Sequence, residues 1–275
     1  MANNRIYTSV DRNLFFDFCH NSREEAKLPG AVAKAFNVLR LLRRSPTPLS
    51  VSEVARSVHI AVSTAYAILS ELQAQGAVIQ EADKRYRLGP AIYYLGAAFA
   101  RSAPISRGIW SELTELAQEF SVTAAIAVPW ENHHLILNVH QHGDGELEVA
   151  FGGRVPIDAG SWGKAYYAWS LREPKSLTRF TAHSITDLAA YRAQVERTRE
   201  RGYATDNEEF ALGVGAVAAG VTSERGFEGV ASLMAPISQM NELGFETVGR
   251  RLAGIASRAS FALGDLRRMK VVGIE

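Results

Sequence analysis

Four groups of residues in this chain carry side chains whose type and spacing suit chemistry. The hydroxyls of Ser63, Thr64 and Tyr66, followed by the cations Lys84, Arg85 and Arg87, are groups that bond to phosphate oxygens and base edges. His133, His134, His140 and His142 cluster in ENHHLILNVHQH. On a strand His134, His140 and His142 share parity, so a metal site is conceivable, but the spacing matches no compact ligand motif. Histidines on the surface of a hairpin are the expected reading. Gly160, Gly163 and Lys164 approach the pattern of a phosphate loop, which fails because Asp158 holds the first glycine position and Ala165 follows the lysine. Gly213, Gly215 and Ala218 loosely fit G-x-G-x-x-A, yet no strand is expected before them, which argues against a dinucleotide site. Spacing alone assigns no Ser-His-Asp arrangement. The sequence therefore calls for no catalytic set, no metal and no cofactor.

The elements that must position these groups read as two different patterns. AVAKAFNVLRLLRR, 31–44, places Val32, Ala35, Phe36, Leu39 and Leu42 on one helical stripe, and SPTPL ends it, since a proline disfavours helix in the residue before it. SVSEVARSV opens a second helix with the capping box Ser50–Glu53. After the break at HI, residues 61–75 form a third helix, ended by Gly76, with Ala65, Ile68, Leu69 and Leu72 inward. Two short helices joined by a tight turn, with Ser63, Thr64 and Tyr66 near the leading end of the second, make a helix-turn-helix. AVIQEADKRYRLGP, 77–90, then reads as a hairpin, that is, a wing. Residues 90–102 read as a connecting helix whose Ile92, Tyr93, Leu95 and Phe99 suit a dimer contact or packing on its own domain. Beyond it, helices at 106–120, 160–171, 187–201 and 243–268 alternate with strands at 122–129, 134–139, 147–151, 213–222 and 227–235. Consecutive hairpins with helices between them indicate an antiparallel sheet flanked by helices, an α+β domain.

Composition agrees with a soluble two-domain protein. The 275 residues are 47% hydrophobic and 21% charged. No apolar run suggests a membrane span, and the N-terminus lacks the pattern of a secretory signal. Cys19 is the only cysteine, so no internal disulfide is expected and a reducing cytoplasmic setting fits. The net charge of +1 is a sum of unlike parts: residues 30–100 carry +4, residues 101–275 carry −3, and residues 1–29 carry zero. A basic small domain beside a mildly acidic larger one is the charge pattern of a nucleic-acid partner for the first. The expected divisions are an N-terminal arm at 1–29, whose Leu14, Phe15, Phe16 and Phe18 suggest a docking segment with a disordered tail and a swapped arm both open, a winged helix-turn-helix at 30–89, a linker helix at 90–104 and a larger domain at 105–275.

Several segments together carry a family resemblance. These are YRLG at 86–89, GSWGKAYYAW at 160–169, TRFTAHSITD at 178–187 and ASLMAP at 231–236. RERGYATDNEEFALGVGAVAAGV, 199–221, is the most specific, and matches R-x-x-G-[YW]-x-x-[SD]-x-E-E-x-x-x-G. On these residues the chain resembles the IclR family of bacterial transcription regulators from about Gly30 to Gly264. The resemblance implies a DNA-binding winged helix-turn-helix, a linker helix and a GAF-like C-terminal domain that binds a small effector, usually a carboxylate. It also implies dimers, often paired into tetramers, on double-stranded operator DNA.

Carried over by motif, the resemblance implies an effector pocket of Ser161, Trp162, Asp206, Val214, Ala216, Ser232 and Met234. Backbone amides of a loop entering a helix suit a carboxylate, and Ser161 and Ser232 add hydroxyl donors. Asp206 repels a carboxylate, and so accepts from a ligand hydroxyl or orders its loop. Relatives that bind small oxoacids tend to have cysteine or serine at the positions of Ala216 and Met234. That difference, with Trp162, favours an aromatic or bulky acid. On the DNA side, relatives commonly have arginine where this chain has Ala67, which removes a long donor from the recognition helix. The alternative class is an enzyme or metal-binding protein whose helix-turn-helix does not bind DNA.

Overall fold

The computed structural model describes residues 30–142, 147 and 149–265. The aromatic segment expected at 1–29 lies outside them. Two compact units meet in the chain between Phe99 and Ala100.

The first unit begins with α1 (Ala31–Arg44), which ends at Ser45, the residue before Pro46. Helix α2 (Val51–Ser57) starts on the expected capping box. The Glu53 amide donates to Ser50 Oγ at 3.3 Å, and the Ser50 amide donates to Glu53 Oε2 at 2.7 Å. A four-residue break with His59 in the left-handed region leads into α3 (Val62–Ala74). Strands β1 (Val78–Gln80) and β2 (Tyr86–Leu88) pair antiparallel, with Ile79 opposite Arg87. Leu49 adds a bridge to Tyr86. Helix α4 (Pro90–Ser102) follows. The core is Val38, Leu42, Val54, Ala55, Ala65, Leu69, Val78 and Tyr86.

The expected stripe of α1 holds in part: Leu42 is buried and Leu39 packs against the core, but Val32 and Phe36 are exposed, Phe36 at 56%, and Val38 is buried in their place. Its apolar residues cover two faces, and periodicity does not say which face the neighbouring helices take. On helix α4, Tyr93 is 73% exposed, and Tyr94, Leu95 and Phe99 are exposed beside it, which leaves the dimer contact of the two readings open.

The second unit is built on a six-stranded antiparallel sheet in the order β5-β4-β3-β8-β7-β6. Its strands are β3 (Thr123–Trp130), β4 (His133–His140), β5 (Arg154–Pro156), β6 (Ala204–Asn207), β7 (Val214–Ser223) and β8 (Gly226–Pro236). Strand side chains alternate between faces. Ala124, Ile126, Val217, Ala219, Ala231 and Leu233 point to α5 (Pro104–Phe120) and α9 (Phe245–Ala262), forming one core. Ala125, Ala127, Ala216, Ala218, Val230 and Met234 point to the other face, where α6 (Gly160–Trp169) lies. Helix α7 (Leu188–Arg201), capped by Asp187, packs outside α6, with Tyr191 against Tyr167. Covered on both sides, α6 is buried from Gly160 to Ala168, which accounts for its lack of a polar stripe.

Three boundaries differ from the sequence reading. Residues 149–152 are not a strand; the outer edge of β4 is taken by β5, where Leu135 faces Arg154, with Gly152 and Gly153 bonded to Ile136 just before it. The closing helix expected at 243–268 is α9, beginning at Phe245, and a short helix that the sequence did not indicate, α8 (Ile237–Leu243), precedes it, parted from it at Gly244, whose φ of 80° no regular helix allows. Strand β6 was not anticipated, because ATDN lacks β-branched and aromatic residues apart from Thr205. A strand therefore does precede Gly213, and Gly215 and Ala218 lie within β7 instead of opening a helix, so the dinucleotide pattern fails for that reason.

Candidate nucleic-acid interface and effector site

On the first unit, burying Ala65 and Leu69 turns Val62, Ser63, Tyr66 and Ala67 of α3 outward. Thr64 is half-buried. Tyr66 and Ser63 thus stand exposed on the leading turn, as the sequence predicts, and no cation accompanies them on α3. The three wing cations are not equivalent. Lys84 sits at the hairpin tip in the left-handed region and has no ion pair among the described residues. Arg85 turns inward: Nη1 lies 2.9 Å from Glu53 Oε2 and donates to the Pro48 carbonyl at 3.1 Å. Arg87 is paired with Glu81 at 2.8 Å. Arg85 therefore clamps the wing to the start of α2. Hydrogen bonds from the Ser50 backbone and side chain, with help from Arg85, hold the Glu53 carboxyl below its usual range.

On the second unit, α6 runs over the sheet with each end held differently. At its C-terminal end Arg199 of α7 donates to the carbonyls of Ala168 (2.9 Å) and Tyr167 (3.1 Å), a cation on the negative end of the helix. At its N-terminal end Ala159 supplies no side-chain cap. Asp206 sits directly against Gly160: a β-carbon there would collide with its carboxylate, and Gly160 has a φ of 43°. Asp206 accepts the amides of Glu209 (2.7 Å) and Phe210 (3.4 Å), ordering the turn after β6. Lys164, one turn into α6 and 1% exposed, holds both oxygens of Glu209 at 2.6 and 2.8 Å. The Glu209 carbonyl in turn accepts the hydroxyls of Thr181 (3.2 Å) and Ser184 (2.7 Å). Asp158 accepts the Thr178 amide at 2.6 Å.

Every residue that the resemblance assigned to the pocket is on this face. Asp206 pairs with Ala216 and Ala216 with Met234, so the three form one row across the sheet. Val214 packs against the same cluster, and Ser232 shares the parity of Met234. Ser161 and Trp162 come from the first turn of α6 above them. Two roles change. The Ser232 hydroxyl is engaged, donating to the Val217 carbonyl at 2.8 Å. Asp206 orders its loop, as one of the two readings had it. Burial pushes its carboxyl up to about 6 despite the pull of Lys164. The Ser161 hydroxyl is buried with no partner among the described residues.

Sequence reasoning missed Lys164, Glu209 and Arg199 as the groups that hold the site. Arg199 and Glu209 were in view within the matched motif, and Lys164 in the loop-and-helix segment, but their pairings span thirty residues or more. The histidines are also placed differently. His133 and His134 are buried, not on the surface. His134 lies edge-on to Trp162 and Tyr166, each with ring centroids 5.7 Å away. Among the described residues no group of three His, Cys, Asp or Glu side chains is placed to hold a metal, and no helix is long and apolar enough to cross a membrane.

A helix-turn-helix with a hairpin and an α+β domain with a closed-in helix define a two-domain regulator of transcription. The model of the IclR helix-turn-helix domain matches residues 31–82, and that of the bacterial transcriptional regulator IclR C-terminal domain matches residues 98–261. The chain belongs to the IclR family of bacterial transcriptional regulators. It is 26% identical to the HTH-type transcriptional repressor AllR of Salmonella typhi, over 85% of this chain and 90% of the relative. It is 28% identical to the glycerol operon regulatory protein of Streptomyces griseus, over 80% and 83%. It superposes on the crystal structure of an IclR transcriptional regulator from Alicyclobacillus acidocaldarius with a TM-score of 0.71 at 25% identity, covering 85% of this chain and 98% of that one. The family model and the AllR relative are described as regulators of transcription.

Removing one partner of a buried ion pair strands the other, which typically costs about 3–5 kcal/mol. Lys164→Met is expected to lower the thermal midpoint of the second unit by that order, and the double change Lys164→Met with Glu209→Leu to recover part of it. Calorimetry of the three proteins checks this; equal midpoints for Lys164→Met and the unaltered chain contradict it.

Proposed function

We propose that the chain binds double-stranded operator DNA through α3 and the wing, and that a small carboxylate, aromatic or otherwise bulky, binds beneath α6 and changes that affinity. The observation that carries the effector reading is the N-terminal end of α6. Its first amides have no side-chain cap, and the unpartnered Ser161 hydroxyl stands beside them. Such an end favours an anion. The floor below it, Ala216, Ala218, Ala125 and Met234, with Trp162 at the side, offers apolar contact and few donors. That composition suits a ring better than a short oxoacid. Titration of benzoate-type and short oxoacids, followed by tryptophan fluorescence, tests it: a response to the short acids alone contradicts it.

Asp206 gives this site a pH dependence. Its carboxyl, pushed up to about 6, is ionised at pH 8 and repels an incoming carboxylate; near pH 6 it takes a proton and the repulsion falls. Benzoate affinity is expected to rise severalfold from pH 8 to pH 5.5, and to become flat in Asp206→Asn. Isothermal titration at four pH values reads both; an affinity independent of pH in the unaltered protein contradicts the placement.

On the DNA side, Lys84 is the wing cation left to neutralise a phosphate, whereas Arg85 positions the wing. Lys84→Ala is expected to reduce the slope of log K against log salt by about one and to weaken operator and random DNA alike. Arg85→Ala should leave that slope nearly unchanged. Filter binding between low and high salt separates the two; loss confined to one operator sequence contradicts the phosphate role.

Self-association is supported by the exposed apolar residues of α4. Tyr93, Leu95 and Phe99 form a larger apolar surface than a solvated helix needs, and dimeric family members would cover it with a second copy. Leu95→Glu with Phe99→Glu is expected to shift sedimentation from dimer towards monomer; an unchanged coefficient contradicts this contact.

A further inference from the structure

His134 lies outside the pocket residues named so far, and its surroundings make a specific demand. Its side chain is fully buried at the start of β4, opposite Pro129 of β3 and Val155 of β5, neither of which carries a side-chain donor. Its ring stands edge-on between Trp162 and Tyr166, on the first and second turns of α6. Nε2 is 3.3 Å from the Ile157 carbonyl. A carbonyl only accepts, so that contact is a hydrogen bond when Nε2 carries the proton. Burial holds the imidazole down to about 3, so it is neutral at physiological pH with a single N–H. Nδ1 is then a bare acceptor, and it has no partner among the described residues. Buried acceptors are seldom left so. Ser161 Oγ, on the same first turn as Trp162, is likewise buried and unpartnered.

We propose that His134 Nδ1 accepts a hydrogen bond from the effector, and that the effector is therefore an acid carrying a hydroxyl or N–H donor away from its carboxylate. This rests on the acid site proposed above and adds a second recognition point to it. The Ser161 hydroxyl and the first amides of α6 take the carboxylate. Trp162, between Ser161 in the chain and His134 in space, lies along the body of the ligand. His134 then decides between a hydroxylated acid and its deoxy counterpart, because the counterpart leaves Nδ1 buried and unpaired.

The test uses the full chain and two matched pairs of probes, 4-hydroxybenzoate with benzoate and 4-hydroxyphenylacetate with phenylacetate. Calorimetric titration is expected to show the hydroxylated member of at least one pair bound roughly tenfold tighter or more. His134→Phe should erase that preference, and His134→Asn, whose Oδ1 can replace Nδ1 as acceptor, should retain much of it. Independently, ¹⁵N spectra of histidine-labelled protein should show the Nε2–H tautomer, with the His134 Nδ1 signal moving on addition of the hydroxylated acid and not of its partner. This readout stands even where His134→Phe does not fold. Equal binding within both pairs, or a preference that survives in His134→Phe, overturns the role of His134 while leaving the acid site intact. Failure of all four acids to bind overturns the acid site and this inference with it.

Discussion

The pair formed by Lys164 and Glu209 is the contact on which the second unit's ligand face depends. Taking an ammonium and a carboxylate out of water is costly, and only close pairing offsets that cost. Here the two charges join segments far apart in sequence: α6, the turn after β6, and, through the Glu209 carbonyl, the stretch containing Thr181 and Ser184. Asp206 lies within the same turn and presses on Gly160. Burial pushes the Asp206 carboxyl up to about 6, against the pull of Lys164 and with a smaller push from the Glu209 carboxylate. The position of the helix end, and so of any anion it receives, follows from these few bonds.

The matched motif from Arg199 to Gly213 acquires a physical meaning in this light. Its arginine covers the last carbonyls of α6, its glycine ends α7 with a φ of 86°, and its aspartate and second glutamate hold the other end of α6. One continuous stretch thus grips one helix at both ends. The first glutamate serves the stretch itself, accepting the Gly213 amide at 2.7 Å. In the first unit a smaller device of the same kind operates: Glu53 closes the capping box of α2 and also receives Arg85, so the wing and the helix-turn-helix are set by one carboxylate.

Local signals were legible in the sequence, and pairings across the chain were not. The capping box, the proline stop after Arg44 and the apolar runs of β7 and β8 are set by neighbours in sequence, and each was read correctly. The buried face of α1 was legible only in part, since apolar residues ring the helix and only its packing partners choose among them. ATDN carries almost no strand signal and is a strand because β7 offers it hydrogen bonds. The motif alone picked residues that share one face of the sheet, yet the engagement of the Ser232 hydroxyl by Val217 and the burial of His134 against Trp162 needed three dimensions. The near-zero net charge concealed a basic unit of +4. Of its wing cations Arg85 and Arg87 are paired within the unit, and Lys84 has no ion pair among the described residues.

A regulator that binds DNA with one unit and an effector with the other, as proposed, would couple two equilibria, and that coupling would be reciprocal. The measurement that tests this most directly is fluorescence anisotropy of the full chain on DNA from upstream of its own gene, titrated with and without a saturating aromatic acid. The account predicts binding tighter than to random DNA and a midpoint that moves when the acid is present. A DNA curve that stays fixed while the acid saturates its own site would contradict it.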